Sequence, residues 1–261
     1  MKKFVKKSVL MNVFNYIQDA IKYVYQQTQF AAIGSYSIVV QSFPFVVLAT
    51  TAYWFLRCAW HKHKFGRYFK EIRKKSRLNE ALRLLLVFWL MQLAAVTITP
   101  FDFWENIWIA MAGIEDIPII GEMPPTFTYD FSFIPSAYYY ISGEQGINFR
   151  IVFMLIGNIA AFIPLGFALP IIGRHMQFPL TLLTGASLSL IIELIQPFLY
   201  GRSGDIDDLL CNTLGVVMGY LLYLMIKKLF PKFVENGKRT AKDVWLESLN
   251  AEQETTGETS V

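Results

Sequence analysis

Charge is scarce in this chain of 261 residues. Only 17% of it is Asp, Glu, Lys or Arg, where soluble domains carry roughly a quarter. The shortage falls in long blocks, which excludes an ordinary water-soluble domain. Cysteine is nearly absent. Cys58 and Cys211 each stand singly at or inside an apolar segment, so no disulfide framework is expected. Three histidines, His61, His63 and His175, fall in no metal-ligand spacing. No glycine-rich phosphate loop and no internal repeat is present, and no nucleic-acid partner is expected. The stretch from Ser8 to Gln29 holds Asn12, Asn15, Asp19 and Lys22, too polar for the apolar region of a signal peptide.

What is abundant is apolar length: 54% of the residues are hydrophobic and 16% aromatic. A helix needs about 20 apolar residues to cross the hydrocarbon core, and five stretches meet or approach that. They run from Phe30 to Leu56, Leu84 to Phe101, Ile151 to Ile172, Phe178 to Tyr200 and Ile206 to Ile226. The fold class expected is an all-α integral membrane protein, a bundle of about five transmembrane helices. Residues 1–29 repeat Leu10, Val13, Phe14, Ile17, Ile21 and Val24 at helical spacing. They predict an amphipathic helix lying in the membrane interface ahead of the bundle. Residues 57–83 read as a basic loop with ten Lys and Arg, and 102–150 as a long connection with seven acids and one base, Arg150. Residues 231–261 read as a polar tail without a repeated apolar face. Lysine and arginine mark the cytoplasmic side. The 57–83 segment, Arg174, Lys227 and Lys228 therefore place the C-terminus inside, and an odd number of crossings places the N-terminus outside. A multi-pass membrane protein is expected.

Against this apolar background a few polar residues stand out. An ionised group in a membrane helix costs about 2.5–3.5 kcal/mol on insertion scales. Glu193 is the only charge between Phe178 and Tyr200. At 1.5 Å per residue, Glu193, Asn158 and Asn212 all lie about 8–12 Å below the outer helix ends. Ser189, Glu193, Gln196 and Tyr200 share one helix face, and Asp205, Asp208, Asn212, Gly215 and Gly219 share another. Gly215 and Gly219 form a small-xxx-small pair that allows close helix approach. Arg202, in the turn between the two helices, is placed to pair with Glu193 or the aspartates. Its fork binds a carboxylate or a phosphate at two points. Two readings stay open. Asn158, Gln196 and Asn212 can be structural hydrogen-bonding groups between helices, or they can belong with Glu193, Arg202, Asp205 and Asp208 to one working site. Trp89, Trp104 and Trp108 read as packing or interface residues, and His61 and His63 as part of a surface facing anionic lipid.

Three segments in order, NIAAFIPLGFALP, IELIQ and RSGDIDDLLCNTLGVVMGY, preceded by a basic loop and TITPFDF, resemble the VanZ-like family of bacterial membrane proteins. The resemblance runs from about Phe30 to Ile226. Asn158, Pro164, Gly166, Glu193, Gln196, Arg202, Asp205, Asp208, Asn212 and Gly215 fall at the family's motif positions. The chain departs from the family at Ser132-Phe133-Ile134-Pro135-Ser136, where members often carry Asn-x-x-Pro-Phe. The resemblance implies a part in low-level resistance to teicoplanin-type glycopeptides in Gram-positive bacteria.

Two functions from different classes fit. In the first, the protein binds a lipid-anchored envelope molecule, either a cell-wall precursor or the lipoglycopeptide itself, at a polar site in the outer leaflet. Asn158, Gln196, Arg202 and Asn212 are then its ligand-binding groups, and membrane lipids are its other partners. In the second, it is an enzyme on a lipid-linked substrate. Glu193, Asp205 and Asp208 are the candidate catalytic carboxylates, and Asp205, Asp207 and Asp208 could hold a divalent cation. No other cofactor is expected. A transporter would want polar groups near the midplane and an internal repeat, and the sequence has neither.

Overall fold

The computed structural model describes residues 35–100, 103–112, 129–130, 149–173, 175–199 and 202–257. The amphipathic segment expected over 1–29 lies outside these residues. Five helices are long and apolar enough to cross a membrane: Ile38–Lys75, Arg77–Thr97, Met154–Ile172, Phe178–Phe198 and Ile206–Leu229. Large apolar side chains such as Leu48, Phe55, Leu85, Ile156, Leu183, Ile191 and Leu221 stay exposed on the bundle, as a belt in contact with lipid requires. The protein is a multi-pass membrane bundle.

Helix α1, Ser35–Phe65, has 31 residues and is therefore about 46 Å long. The hydrocarbon core is about 30 Å thick, so the last turns carry Arg57, Lys62 and Lys64 beyond it. Gly66, at φ 49°, ends the helix in a conformation that glycine adopts without strain. A short helix α2, Phe69–Lys75, leads through Ser76 into α3, Arg77–Thr97, which returns along α1. Two polar contacts fix that pair near opposite ends. Arg57 Nε and Nη2 hold Glu80 at 2.5 and 2.9 Å, and Gln92 Nε2 donates to Ser42 Oγ at 2.7 Å. Helix α4, Phe103–Ala112, packs beside α1, where Trp108 Nε1 donates to the Gln41 carbonyl at 2.9 Å.

Helices α5, Phe149–Ile172, α6, Phe178–Ile195, and α7, Ile206–Leu229, make the core. Phe162, Leu165, Ala168, Ile192 and Val216 meet there with Leu86 of α3. Glycines set the spacing. A Cβ added at Gly215 would sit 2.2 Å from the Ile159 carbonyl oxygen, one at Gly219 2.2 Å from that of Ile163, and one at Gly166 2.1 Å from that of Val216. The small-xxx-small pair thus lets α7 lie backbone to backbone on α5. Pro197 follows α6 in a 3-10 turn, Gln196–Phe198. The chain then forms β2, Gly204–Asp205, parallel to β1, Tyr129–Asp130, with Tyr129 opposite Gly204 and Asp130 opposite Asp205.

Two segments differ from the expectation. Residues 57–83, read as a loop, are helical except at Gly66–Tyr68 and Ser76, where a 3-10 turn and a single residue intervene. Lysine and arginine are good helix formers, so a dense run of charge keeps its helix outside the apolar stretch. Residues 231–257, read as a tail, fold into α8, Pro231–Lys238, and α9, Ala241–Gly257. Val234 and Gly237 of α8 pack on Ile171 and Leu82, and Asn79 Nδ2 donates to the Gly237 carbonyl at 2.5 Å. Thr240 caps α9 reciprocally with Asp243, a capping box. Ala241, Val244 and Trp245 then cover Phe65 and Ile72.

Candidate functional site

Between α1, α3, α5, α6 and α7 lies a cavity of about 520 Å³. Asn158, Glu193, Gln196, Arg202, Asp208 and Asn212 line it, together with Gln92 and Thr97. Val39, Leu93, Val96, Met154, Ala160 and Phe162 supply apolar wall. Polar residues placed on separate helices by sequence position therefore do face one space.

Each is held by a neighbour. Glu193, 4% exposed, accepts from the Asp205 backbone N–H at 2.9 Å through Oε2. Asp205 is the N-cap of α7, and its Oδ1 accepts from the Asp207 N–H at 2.8 Å, satisfying a free amide of the first turn. Asn158 Nδ2 donates to Asp208 Oδ1, joining α5 to α7. Asn212 Nδ2 donates to Ser189 Oγ at 2.9 Å, joining α7 to α6. Gln196 Nε2 donates to the Thr97 carbonyl at 3.3 Å, and Arg202 Nη2 to the Val96 carbonyl, joining the α6–α7 turn to α3. Asn158, Glu193 and Asn212 thus share a cavity without bonding one another directly.

Three placements refine the sequence reading. Arg202 forms no ion pair with Glu193 or Asp208 among the described residues. It spans to the α3 backbone instead, because its long stem reaches past the aspartates. Burial pushes its pKa below the ordinary arginine value, and the charge of Asp208 opposes that shift. Asp205 and Asp207 do not line the cavity; Asp205 supports it through the backbone N–H given to Glu193 and the cap on Asp207. Among the described residues no three His, Cys, Asp or Glu side chains gather as metal ligands, and no step is assigned to a divalent cation.

Gln92 is a site residue absent from the sequence reading, and Trp89, read there as a packing or interface residue, also borders the site. Gln92 is buried, lines the cavity, and could have been found by the rule applied to Glu193, since it is a strong polar group inside a charge-free run. Trp89 Nε1 donates to the Ala161 carbonyl at 2.8 Å, so it packs α3 on α5 and also borders the cavity. Pro164 has no N–H to give the carbonyl of Ala160, another lining residue.

Two buried polar atoms on the cavity wall, Gln92 Oε1 and Arg202 Nε, have no hydrogen-bond partner among the described residues. One is an acceptor and the other a charged donor. A buried group left so costs about 1–3 kcal/mol, more when charged.

No curated protein and no solved structure matches the chain significantly. The motif positions that line the cavity, from Asn158 to Asn212, fall within the stretch matched by one family profile. The chain belongs to the VanZ/LLP1 family, whose profile matches residues 45–227, from the middle of α1 to the last turn of α7.

Proposed function

We propose that the cavity beside Glu193 binds the head of a lipid-anchored envelope molecule or of a lipoglycopeptide in the outer leaflet, and that this binding lowers sensitivity to teicoplanin-type glycopeptides. The observation that carries the reading is that Arg202 and Gln92, whose Nε and Oε1 are buried without partners, both line a cavity with apolar walls. An acidic head group matches the first and an amide or hydroxyl the second, while an acyl or polyprenyl chain suits the walls.

Glu193→Gln and Asp208→Asn remove charge at nearly constant shape. The expected outcome is loss of protection with the protein at wild-type abundance in the membrane, measured as teicoplanin sensitivity beside an immunoblot of the membrane fraction. Full protection by the Glu193→Gln protein would sink the proposal. The second reading, an enzyme on a lipid-linked substrate, draws on Glu193 and Asp208 lining the same cavity, since paired carboxylates suit general acid–base work. Mass spectrometry of lipids and muropeptides from cells with and without the protein separates the two, because only the enzyme leaves a covalently changed species.

A further inference from the structure

About 20 Å away along α3, the opposite end of the bundle holds a second cavity, of about 560 Å³. Its wall carries Arg57, Lys70, Arg73, Lys74 and Arg77 with a single acid, Glu80. Arg57 already holds Glu80 through two nitrogens, so that pair is neutral as a unit. Lys70, Arg73, Lys74 and Arg77 make no ion pair among the described residues, which leaves four uncompensated cations around one space. The floor is different. Trp54, Ala81 and Leu84 line it, and these stand where α1 and α3 enter their charge-free runs. From Arg77 to Leu84 the wall of α3 changes from cationic to apolar over about 10 Å. That is the profile of a lipid at its phosphate and first methylenes.

The geometry points to a binding site for the phosphate of an anionic membrane lipid at this basic end, with Arg73 and Arg77 as the principal phosphate ligands and Trp54 and Leu84 against the upper acyl chains. Arginine is suited to two-point phosphate contact, and tryptophan to the interface level. The site is separate from the Glu193 cavity and independent of what that cavity binds. The fold explains why it is built. Helix α9 covers Phe65 and Ile72 on α1 and α2, which keeps α2 and its row of cations in place beside α3.

The test uses the full chain purified in neutral detergent and titrated with dioctanoyl phosphatidylglycerol, dioctanoyl phosphatidylcholine or inorganic phosphate, with binding read by native mass spectrometry. Phosphatidylglycerol should bind saturably at one copy per chain and phosphatidylcholine should not. Arg73→Ala/Arg77→Ala should weaken phosphatidylglycerol about 30-fold, the loss expected for two cations near an anionic head. Lys227→Ala/Lys228→Ala, which removes the same charge from the same end but outside the cavity, should change it less than threefold. A melting temperature within error of wild type shows that each variant is folded. Should the arginine variant unfold, Lys70→Ala/Lys74→Ala serves in its place with the same expectation. Equal losses in the cavity and control variants would mean diffuse attraction and overturn the site. So would equal binding of the two lipids, or saturable binding of inorganic phosphate without lipid.

Discussion

Gly215→Ala tests whether the cavity is held by the α5–α7 contact. The added Cβ would lie 2.2 Å from the Ile159 carbonyl oxygen and 3.0 Å from Phe162 Cβ. The obstruction is backbone, which cannot rotate aside as a side chain can. Ordinary contact is restored only if α5 and α7 part by about 1 Å. Overpacking of this kind costs about 1–3 kcal/mol. Parting also stretches the Asn158–Asp208 hydrogen bond, whose donor is the residue next to Ile159. Bonds of that sort contribute about 0.6 kcal/mol in membrane proteins. Gly157→Ala is the matched control. It lies on α5, the facing helix of the same pair, and lines the cavity, yet a Cβ there meets nothing within 4 Å. It should be neutral or stabilise by up to about 1 kcal/mol through helix propensity. Equilibrium unfolding in mixed micelles with increasing dodecyl sulfate, followed by circular dichroism, measures both. A Gly215→Ala protein as stable as wild type, or a Gly157→Ala protein equally damaged, refutes the glycine-set contact.

Further outcomes follow from other contacts. Asn79 is fully buried, donates to the Gly237 carbonyl and accepts from Arg83 Nε at 2.7 Å. Asn79→Ala should lower stability by about 1–3 kcal/mol in the same unfolding assay, more than any exposed asparagine replacement. Val244→Ala, at a fully buried side chain of α9 packed on Phe65 and Ile72, should cost about 2 kcal/mol. Lys75→Ala should cost nothing measurable, because its ion pair with Glu71 is solvent-exposed. For orientation, Ser203→Cys should be labelled by an impermeant maleimide on intact cells and Lys74→Cys should not, each in a background without Cys58 and Cys211. Labelling of Lys74→Cys from outside would invert the topology and move the Glu193 cavity to the inner leaflet.

The bundle was legible because membrane solvation writes it directly into composition. A charge-free run of about 20 residues has few other fates, and the five runs became α1, α3, α5, α6 and α7. Helix ends were harder. Where Arg57 and Lys62 enter, hydropathy falls but helicity does not, since the backbone stays hydrogen-bonded past the lipid boundary. Helix α9 escaped notice although Ala241, Val244, Trp245 and Ser248 have helical spacing, because a strip of three apolar residues carries little signal beside its charges. The site was legible for a different reason. Polar residues are expensive in lipid, so Asn158, Glu193, Asp208 and Asn212 point inward, and helical periodicity then fixes their faces. What spacing cannot supply is partner choice. Arg202 was expected on a carboxylate and reaches a carbonyl of α3, a contact that depends on tertiary placement of the α6–α7 turn.

The rim of the Glu193 cavity bears on what can reach it. Val39 of α1 and Met154 and Gly157 of α5 line the cavity and are also exposed on the bundle surface, so among the described residues the cavity opens sideways between α1 and α5, two membrane-spanning helices. A ligand arriving through that opening keeps its apolar part in an apolar medium throughout. A wholly polar solute would have to shed water before reaching Arg202 or Gln92, at roughly 2–7 kcal/mol for each group left without a hydrogen bond. The two orphan polar groups and the apolar rim therefore both suit the ligand proposed above, a polar head joined to an apolar anchor. That shared requirement supports a membrane-borne amphiphile over a soluble substrate, whether the protein holds the molecule or changes it.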